Sequence, residues 1–267
     1  MNNQQSRTSS PNATGGGGTH FEQHVDAVFL ALLLVRGIPP IFTDCTVAAV
    51  HLQAERLGWK TDDLIVECET GSGGRRQLVA QVKQSVTVSS SNDEFKKTIV
   101  DAWLDFNNEE LFDRENDRIA IITLRGTNVF LGDFAGLLDC ARSSRTVEEF
   151  TNRLGTEGFV SKKVIHYFDE IKKIIEETEG SSVDESQVWE FLCFLNVLSY
   201  DLNTSTRQTE ALVKSLLAHT AGGAGAVGVS DTTWNKLLSE VGEGKPRAKT
   251  YCYEDLPQEL RDKHSPV

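Results

Sequence analysis

The chain predicts an α/β fold: a small mixed sheet flanked by helices, in the order α-β-β-β-α-β, followed by a mainly helical extension. Three observations predict it. Phe21, Val25, Val28, Phe29 and Leu32 recur at helical spacing near the start. Three short strand-like runs then cluster between residues 46 and 88. A buried-strand run follows at Arg118–Leu124, and from about Gly132 onward the pattern is helical.

Taken in order, residues 1–18 are rich in Asn, Ser, Gln and Gly without periodicity, and read as a disordered leader. Gly15 to Gly18 lack a following Gly-Lys-Ser/Thr, so they read as flexible chain and not as a phosphate-cradling loop. The first helix is expected from Thr19 and ends at Arg36-Gly37 before Pro39-Pro40. Strands are expected over Thr46–Gln53, Leu64–Glu69 and Leu78–Val88, the last two joined by a hairpin loop at 70–76. Asp93-Glu94 opens a helix with Phe95, Ile99, Trp103 and Phe106 on one face. The strand Arg118–Leu124 stops at Arg125-Gly126. Helices are then expected over 133–142, 146–154, 160–178, 185–200, 207–219 and 231–241, with a break at Ala221 to Gly228. The domains expected are a leader (1–18), a core (19–130), a helical extension packed on it (131–220) and a C-terminal loop with a helical segment (221–267).

The 267 residues suffice for one large core or for one domain plus an appendage. No apolar run reaches the roughly 18–20 residues that cross a bilayer, and the polar N-terminus lacks a secretory h-region. A cytoplasmic protein without membrane contact is expected. Cys45, Cys68, Cys140, Cys193 and Cys252 lie far apart without a CxxC pair, so free thiols are expected in place of a zinc knuckle or disulfide framework. The formal net charge of −12 disfavours a nucleic-acid partner unless basic groups line a cleft. Arg75–Arg76, Lys96–Lys97, Lys162–Lys163 and Lys172–Lys173 are the basic pairs available.

One constellation carries chemistry. Asp63 stands where the second strand begins, and Gln81-Val82-Lys83 follows one hairpin later. Alternation puts Gln81 and Lys83 on one face and Ala80 and Val82 on the other. Carboxylate and amide oxygens suit a hard cation, and a lysine beside them suits developing negative charge at phosphorus. Each residue also has a plainer reading. Glu22 three residues after Thr19 fits a capping box, Asp62-Asp63 fits a turn, and Lys83 fits a solvated strand end. His20 and His24 are four apart, but Glu22 stands one place too late for an H-E-x-x-H zinc site, so surface histidines at a helix start are expected. No G-x-S-x-G elbow occurs.

Glu22 in FEQHV, Asp63 in TDDLIV and Gln81-Val82-Lys83-Gln84 resemble the PD-(D/E)xK nuclease superfamily, with glutamine at the E/Q position. The text from Thr14-Gly15 to Phe29, with DDLIV, QVKQS and DEFKKTIVDAW, is similar to the N-terminal nuclease effectors of bacterial anti-phage defence proteins. These include double-stranded DNA endonucleases associated with CD-NTases and nucleases fused to STAND-type NTPases or paired with HerA-like ATPases. The resemblance covers about residues 14–130; beyond it, VWEFLCFLNVLSYDL is similar to a segment that follows such cores. It implies a restriction-endonuclease-like core and cleavage of double-stranded DNA with Mg2+, or alternatively Mn2+. It also implies a sensor or ATPase module, fused or separate, and a homo-oligomer. Glu22, Asp63 and Gln81 would be metal ligands, and Lys83 would stabilise the reacting phosphate. A neutral Gln81 where the pattern has glutamate lowers the negative charge of the site. The alternative expectation is a catalytically silent nuclease-like module that binds DNA or partner proteins. The ending Lys263-His264-Ser265-Pro266-Val267 suggests the N-terminal portion of something larger or one half of a two-component system.

Overall fold

A computed structural model describes residues 16–124, 128–202 and 204–264. Six strands form one mixed sheet: β1 (Cys45–Leu52), β2 (Leu64–Thr70), β3 (Arg75–Lys83), β4 (Arg118–Leu124), β5 (Leu195–Tyr200) and β6 (Thr250–Cys252). Their order across the sheet is β5-β4-β3-β2-β1-β6. The pairs β6–β1, β1–β2 and β2–β3 are antiparallel, whereas β3–β4 and β4–β5 are parallel. The helices are α1 (Gly16–Val35), α2 (Asp93–Phe106), α3 (Asn128–Ser143), α4 (Val147–Gly155), α5 (Lys162–Glu179), α6 (Glu185–Phe194), α7 (Gln208–Ala221), α8 (Ala226–Gly244) and the short α9 (Gln258–Arg261). The expected α-β-β-β-α-β order is present from α1 to β4.

Strand alternation divides the interior into two cores. Leu64, Val66, Leu78, Ala80, Val82, Ala120 and Ile122 face α1, α7 and α8. Ile65, Val79, Ile119 and Ile121 face α2 to α6. Residues of opposite parity thus serve opposite faces, as the strand period of two requires. On the first face α1 lies between the sheet and the α7–α8 pair. From Ala27 to Val35 it is buried almost all round, which is why its apolar residues exceed a single stripe. α1 ends at Arg36, in the left-handed region at φ 51, with Gly37 N–H donating to Leu32 O at 2.8 Å. On the second face Asn92 caps α2 by accepting from Phe95 N–H at 2.8 Å, and Phe95, Ile99, Trp103 and Phe106 are buried as expected.

Several expectations change. α1 begins at Gly16, so Gly16–Gly18 belong to a helix; the remainder of the expected leader, residues 1–15, lies outside the described residues, as does Arg125-Gly126. Thr19 is therefore inside α1 and cannot be its N-cap, which removes the capping-box reading of Glu22. β3 stops at Lys83 and does not run on to Val88. The helix expected over 185–200 breaks after Phe194, and Leu195–Tyr200 becomes β5. The reason is tertiary: β4 is buried on both faces, and β5 supplies hydrogen-bond partners to an edge that would otherwise be left open. β6 is a second strand in a stretch expected to be helix or loop, and α8 starts at Ala226, shortening the expected break. Both edges of the sheet thus come from residues after 131. Among the described residues no helix is long and apolar enough to cross a membrane. The five cysteines are free thiols, as expected.

Candidate functional site

The loop before β2 is held from three sides. Asp105 on α2 is buried and accepts Lys60 N–H at 2.9 Å and Thr61 N–H at 2.6 Å. Burial pushes its carboxyl up although these bonds draw it down. Ala54 N–H donates to Asp62 O at 2.7 Å and Gln53 N–H to Asp63 O at 3.2 Å. The chain enters β2 from this fixed point with Leu64 opposite Ala80, so Asp63 falls against Gln81.

That register brings three of the four sequence-derived residues together. Asp63 Oδ2 accepts the side-chain amide of Gln81 and, at 2.8 Å, the N–H of Val82. Lys83 Nζ lies 3.8 Å from the same oxygen. Gln81 is buried, and its Oε1 has no hydrogen-bond partner among the described residues. Lys83, on the same face as Gln81, remains partly exposed. Asp62 beside them is pushed up by burial and by the Asp63 charge. Lys97 on α2 is raised by its hydrogen bond to Asp101, and the charges of Asp62 and Asp63 act on it in the same direction.

Glu22, the fourth sequence-derived residue, pairs instead with Lys245. Its Oε1 is 2.5 Å from Lys245 Nζ, in the 3₁₀ turn Lys245–Arg247 that follows α8. The same ammonium donates to Asp26 Oδ2 at 2.7 Å. Asp26, one helical turn after Glu22, is fully buried, and its Oδ1 has no partner among the described residues. Burial pushes Asp26 up to about 7; Lys245 opposes that rise, while the charges of Glu22 and Asp63 add to it. Burial alone would lower Lys245, but the charges of Asp26 and Glu22 more than offset it and leave it raised. Glu22 and Asp26 thus pair with Lys245, and Asp63 acts on Asp26 through its charge.

Asp26 and Lys245 are the residues sequence reasoning missed. Asp26 carried a signal: an acid inside an apolar helical run, four residues after Glu22. Lys245 carried none, lying 219 residues from its partner Asp26. His24 also departs from expectation. It is buried, not on the surface; its Nδ1 donates to His20 O at 2.7 Å and its ring packs against Trp234 at 6.0 Å. Burial pushes its pKa down. Several basic residues considered for a phosphate-facing cleft are engaged elsewhere: Arg76 with Asp44, Lys96 with Glu177, Lys97 with Asp101 and Lys172 with Glu185.

Among the described residues no group of three or more His, Cys, Asp or Glu side chains is arranged to hold a metal ion. Carboxylate and amide oxygens are the donor chemistry of a hard cation, and two buried oxygens, Asp26 Oδ1 and Gln81 Oε1, lack hydrogen-bond partners among the described residues. Such orphaned buried acceptors are costly unless an unseen ion or water meets them.

No family model matches the chain, and no curated protein is significantly similar to it. Among solved structures, it is similar to a Moraxella osloensis Cap4 SAVED/CARF-domain containing receptor at 14% identity and a TM-score of 0.43, over 86% of this chain. The chain spans 44% of that receptor's length.

Proposed function

We propose that the chain is a divalent-metal-dependent endonuclease that hydrolyses phosphodiester bonds of double-stranded DNA, acting as the effector of a bacterial anti-phage system. The observation that carries this reading is the convergence at Asp63. One carboxylate at the start of β2 meets Gln81 and Lys83 across the β2–β3 pair and senses Asp26 from α1. Asp63, Gln81 through Oε1, and the α1 carboxylates would hold the ion. Magnesium, when bound, would offset the carboxylate charge and polarise the scissile phosphate. Lys83, 28% exposed at its side chain, faces solvent enough to meet a phosphate oxygen and stabilise its charge. Val82 N–H and the Gln81 amide keep Asp63 in one orientation, so little reorganisation accompanies catalysis. The defence role, the homo-oligomer and the sensor or ATPase partner rest on the family resemblance of the sequence.

The second reading, a catalytically silent module, draws support from Lys245, which already balances Glu22 and Asp26. Incubating the purified protein with plasmid DNA, with and without magnesium or manganese, separates the two. Metal-dependent nicking or linearisation supports the nuclease. Metal binding without cleavage of any duplex, in protein that remains folded, would overturn it.

A further inference from the structure

Away from Asp63, three helix ends meet at a cleft of about 360 Å³. Trp103 and Asn107 bring the C-terminal end of α2, Glu179 that of α5, and Gln187 the first turn of α6; Ser181 and Ser182 line the connection between the last two. The last carbonyls of a helix have no partner within it and carry partial negative charge, which a basic side chain in the last turn offsets. Neither α2 nor α5 has one. The acids around the cleft are balanced, Glu177 by Lys96 at 2.6 Å and Glu185 by Lys172 at 3.1 Å. Glu179 has no ion-pair partner among the described residues. It accepts the N–H of the buried Trp103 indole on Oε1 at 2.6 Å, which orients the carboxylate and leaves Oε2 without a hydrogen bond among the described residues.

The uncharged lining has the same polarity. Asn107 turns its amide NH2 to Trp103 O at 2.9 Å, so its Oδ1 is left as an acceptor. The N-terminus of α6 would favour an anion, but its capping box already meets it: Asp184 accepts Ser186 N–H at 2.9 Å, and Gln187 returns to Asp184 N–H at 3.4 Å. Two helix C-termini and one unpaired carboxylate therefore set the sign of the cleft. One carboxylate among neutral oxygens suits a singly charged organic cation, whereas hard divalent ions gather several carboxylates. The acceptors are spread along the walls and do not converge on a point, which matches a planar fork of donors better than a compact, strongly hydrated ammonium. We propose that this cleft binds a guanidinium group, paired to Glu179 Oε2 and hydrogen-bonded to Asn107 Oδ1. It is carried either by a free small molecule or by an arginine side chain of a partner. The inference is independent of the cleavage reading.

The Trp103 indole N–H is the reporter, followed on the full chain by two-dimensional nitrogen–proton NMR; its resonance is identified as the one that Glu179→Gln displaces. Free L-arginine and N-acetyl-arginine methylamide, which stands for an arginine within a chain, should each shift it saturably. Tighter binding of the free amino acid assigns the site to a small molecule, and tighter binding of the blocked residue assigns it to a partner protein. Glu179→Gln keeps the indole bond but deletes the charge, and should weaken binding about tenfold. Ser182→Lys, at an exposed position, tethers a cation in the cleft and should abolish binding without lowering the thermal midpoint. Absence of a saturable shift in the folded protein, or an affinity changed by less than about twofold in Glu179→Gln, would overturn the proposal. N-acetyl-lysine methylamide binding as tightly as its arginine counterpart would overturn the guanidinium assignment.

Discussion

Asp63→Asn keeps the shape of the side chain and deletes its charge, and the consequences for folding and for cleavage can be worked out separately. Asp63 Oδ2 accepts two hydrogen bonds, from the Gln81 amide and from Val82 N–H at 2.8 Å. Asparagine can keep both as neutral bonds, losing the charge-assisted part, about 1 kcal/mol for each. The Lys83 contact at 3.8 Å is part-exposed and adds no more than about 1 kcal/mol. Against these losses, removing the Asp63 charge relieves its repulsion of buried Asp26. A net cost of about 1–2 kcal/mol follows, or roughly 2–8 °C in thermal midpoint for a domain of this size. On the proposed reading cleavage should fall far more, by about 100-fold or beyond, since the charge that would organise the cation is gone. The assay pairs thermal melts with initial rates of magnesium-dependent plasmid nicking, measured well below the variant's midpoint. A folded Asp63→Asn variant that cuts within about threefold of the unmodified rate would refute the assignment, because a contribution of that size is under 1 kcal/mol.

Lys83→Ala should change stability by less than about 1 kcal/mol, since its ion pair with Asp63 is long and part-exposed, while removing most cleavage; unimpaired nicking by the alanine variant would exclude Lys83 from the reaction. Excess chelator should abolish cleavage reversibly, and cutting that persists in it would point to metal-free chemistry. Asp201 gives a pH-dependent prediction. Burial tends to raise its pKa, but bonds from Thr209 N–H and hydroxyl, Gln208 N–H and Thr206 hydroxyl more than offset that and hold it below the usual carboxylate range. A depressed folded pKa contributes stability above the unfolded value near 3.8, lost as pH falls through the folded one. Asp201→Asn should therefore cost about 1–3 kcal/mol at pH 7, and the difference in midpoint should shrink below about pH 4. A gap between the two proteins that stays constant from about pH 7 to about pH 3 would contradict this account.

From α1 to β4 the elements were legible because each carries its own periodicity and its own punctuation. Arg36-Gly37 closes α1, the glycines at 71, 73 and 74 turn the β2–β3 hairpin, and Asn92 caps α2. The partnership of Asp63, Gln81 and Lys83 was legible too, since a hairpin returns one strand beside the other. Its register was not, because the loop did not fix it; Leu64 opposite Ala80 is set by which residues of β2 and β3 face the two cores. Leu195–Tyr200 was illegible for another reason. A short apolar run after an amphipathic helix fits either period, and only the open edge of β4 decides in favour of a strand. The partner of Glu22 was not legible, because Lys245 meets it through the packing of α8 on α1.

The same contacts decide how much chain the candidate site needs. Residues 19–130 contain Glu22, Asp26, Asp63, Gln81 and Lys83, yet they do not form a closed structure. The second face of α1 is covered by α7 and α8, which bring Leu217, Trp234, Leu237 and Val241 into its core. Leaving such side chains exposed forfeits roughly 1.5–3 kcal/mol apiece. The free edges of β4 and β1 are paired by β5 and β6, and an unpaired hydrophobic edge is an aggregation site. Asp26 would meanwhile keep its place inside α1 and lose the Lys245 ammonium bonded to it; breaking a buried pair in this way costs about 3–5 kcal/mol. Each of these losses alone is comparable to a sizeable part of a domain's stability of about 5–15 kcal/mol. The helical half is therefore integral to this fold: it completes the sheet, buries α1, and delivers the Lys245 ammonium to Glu22 and Asp26.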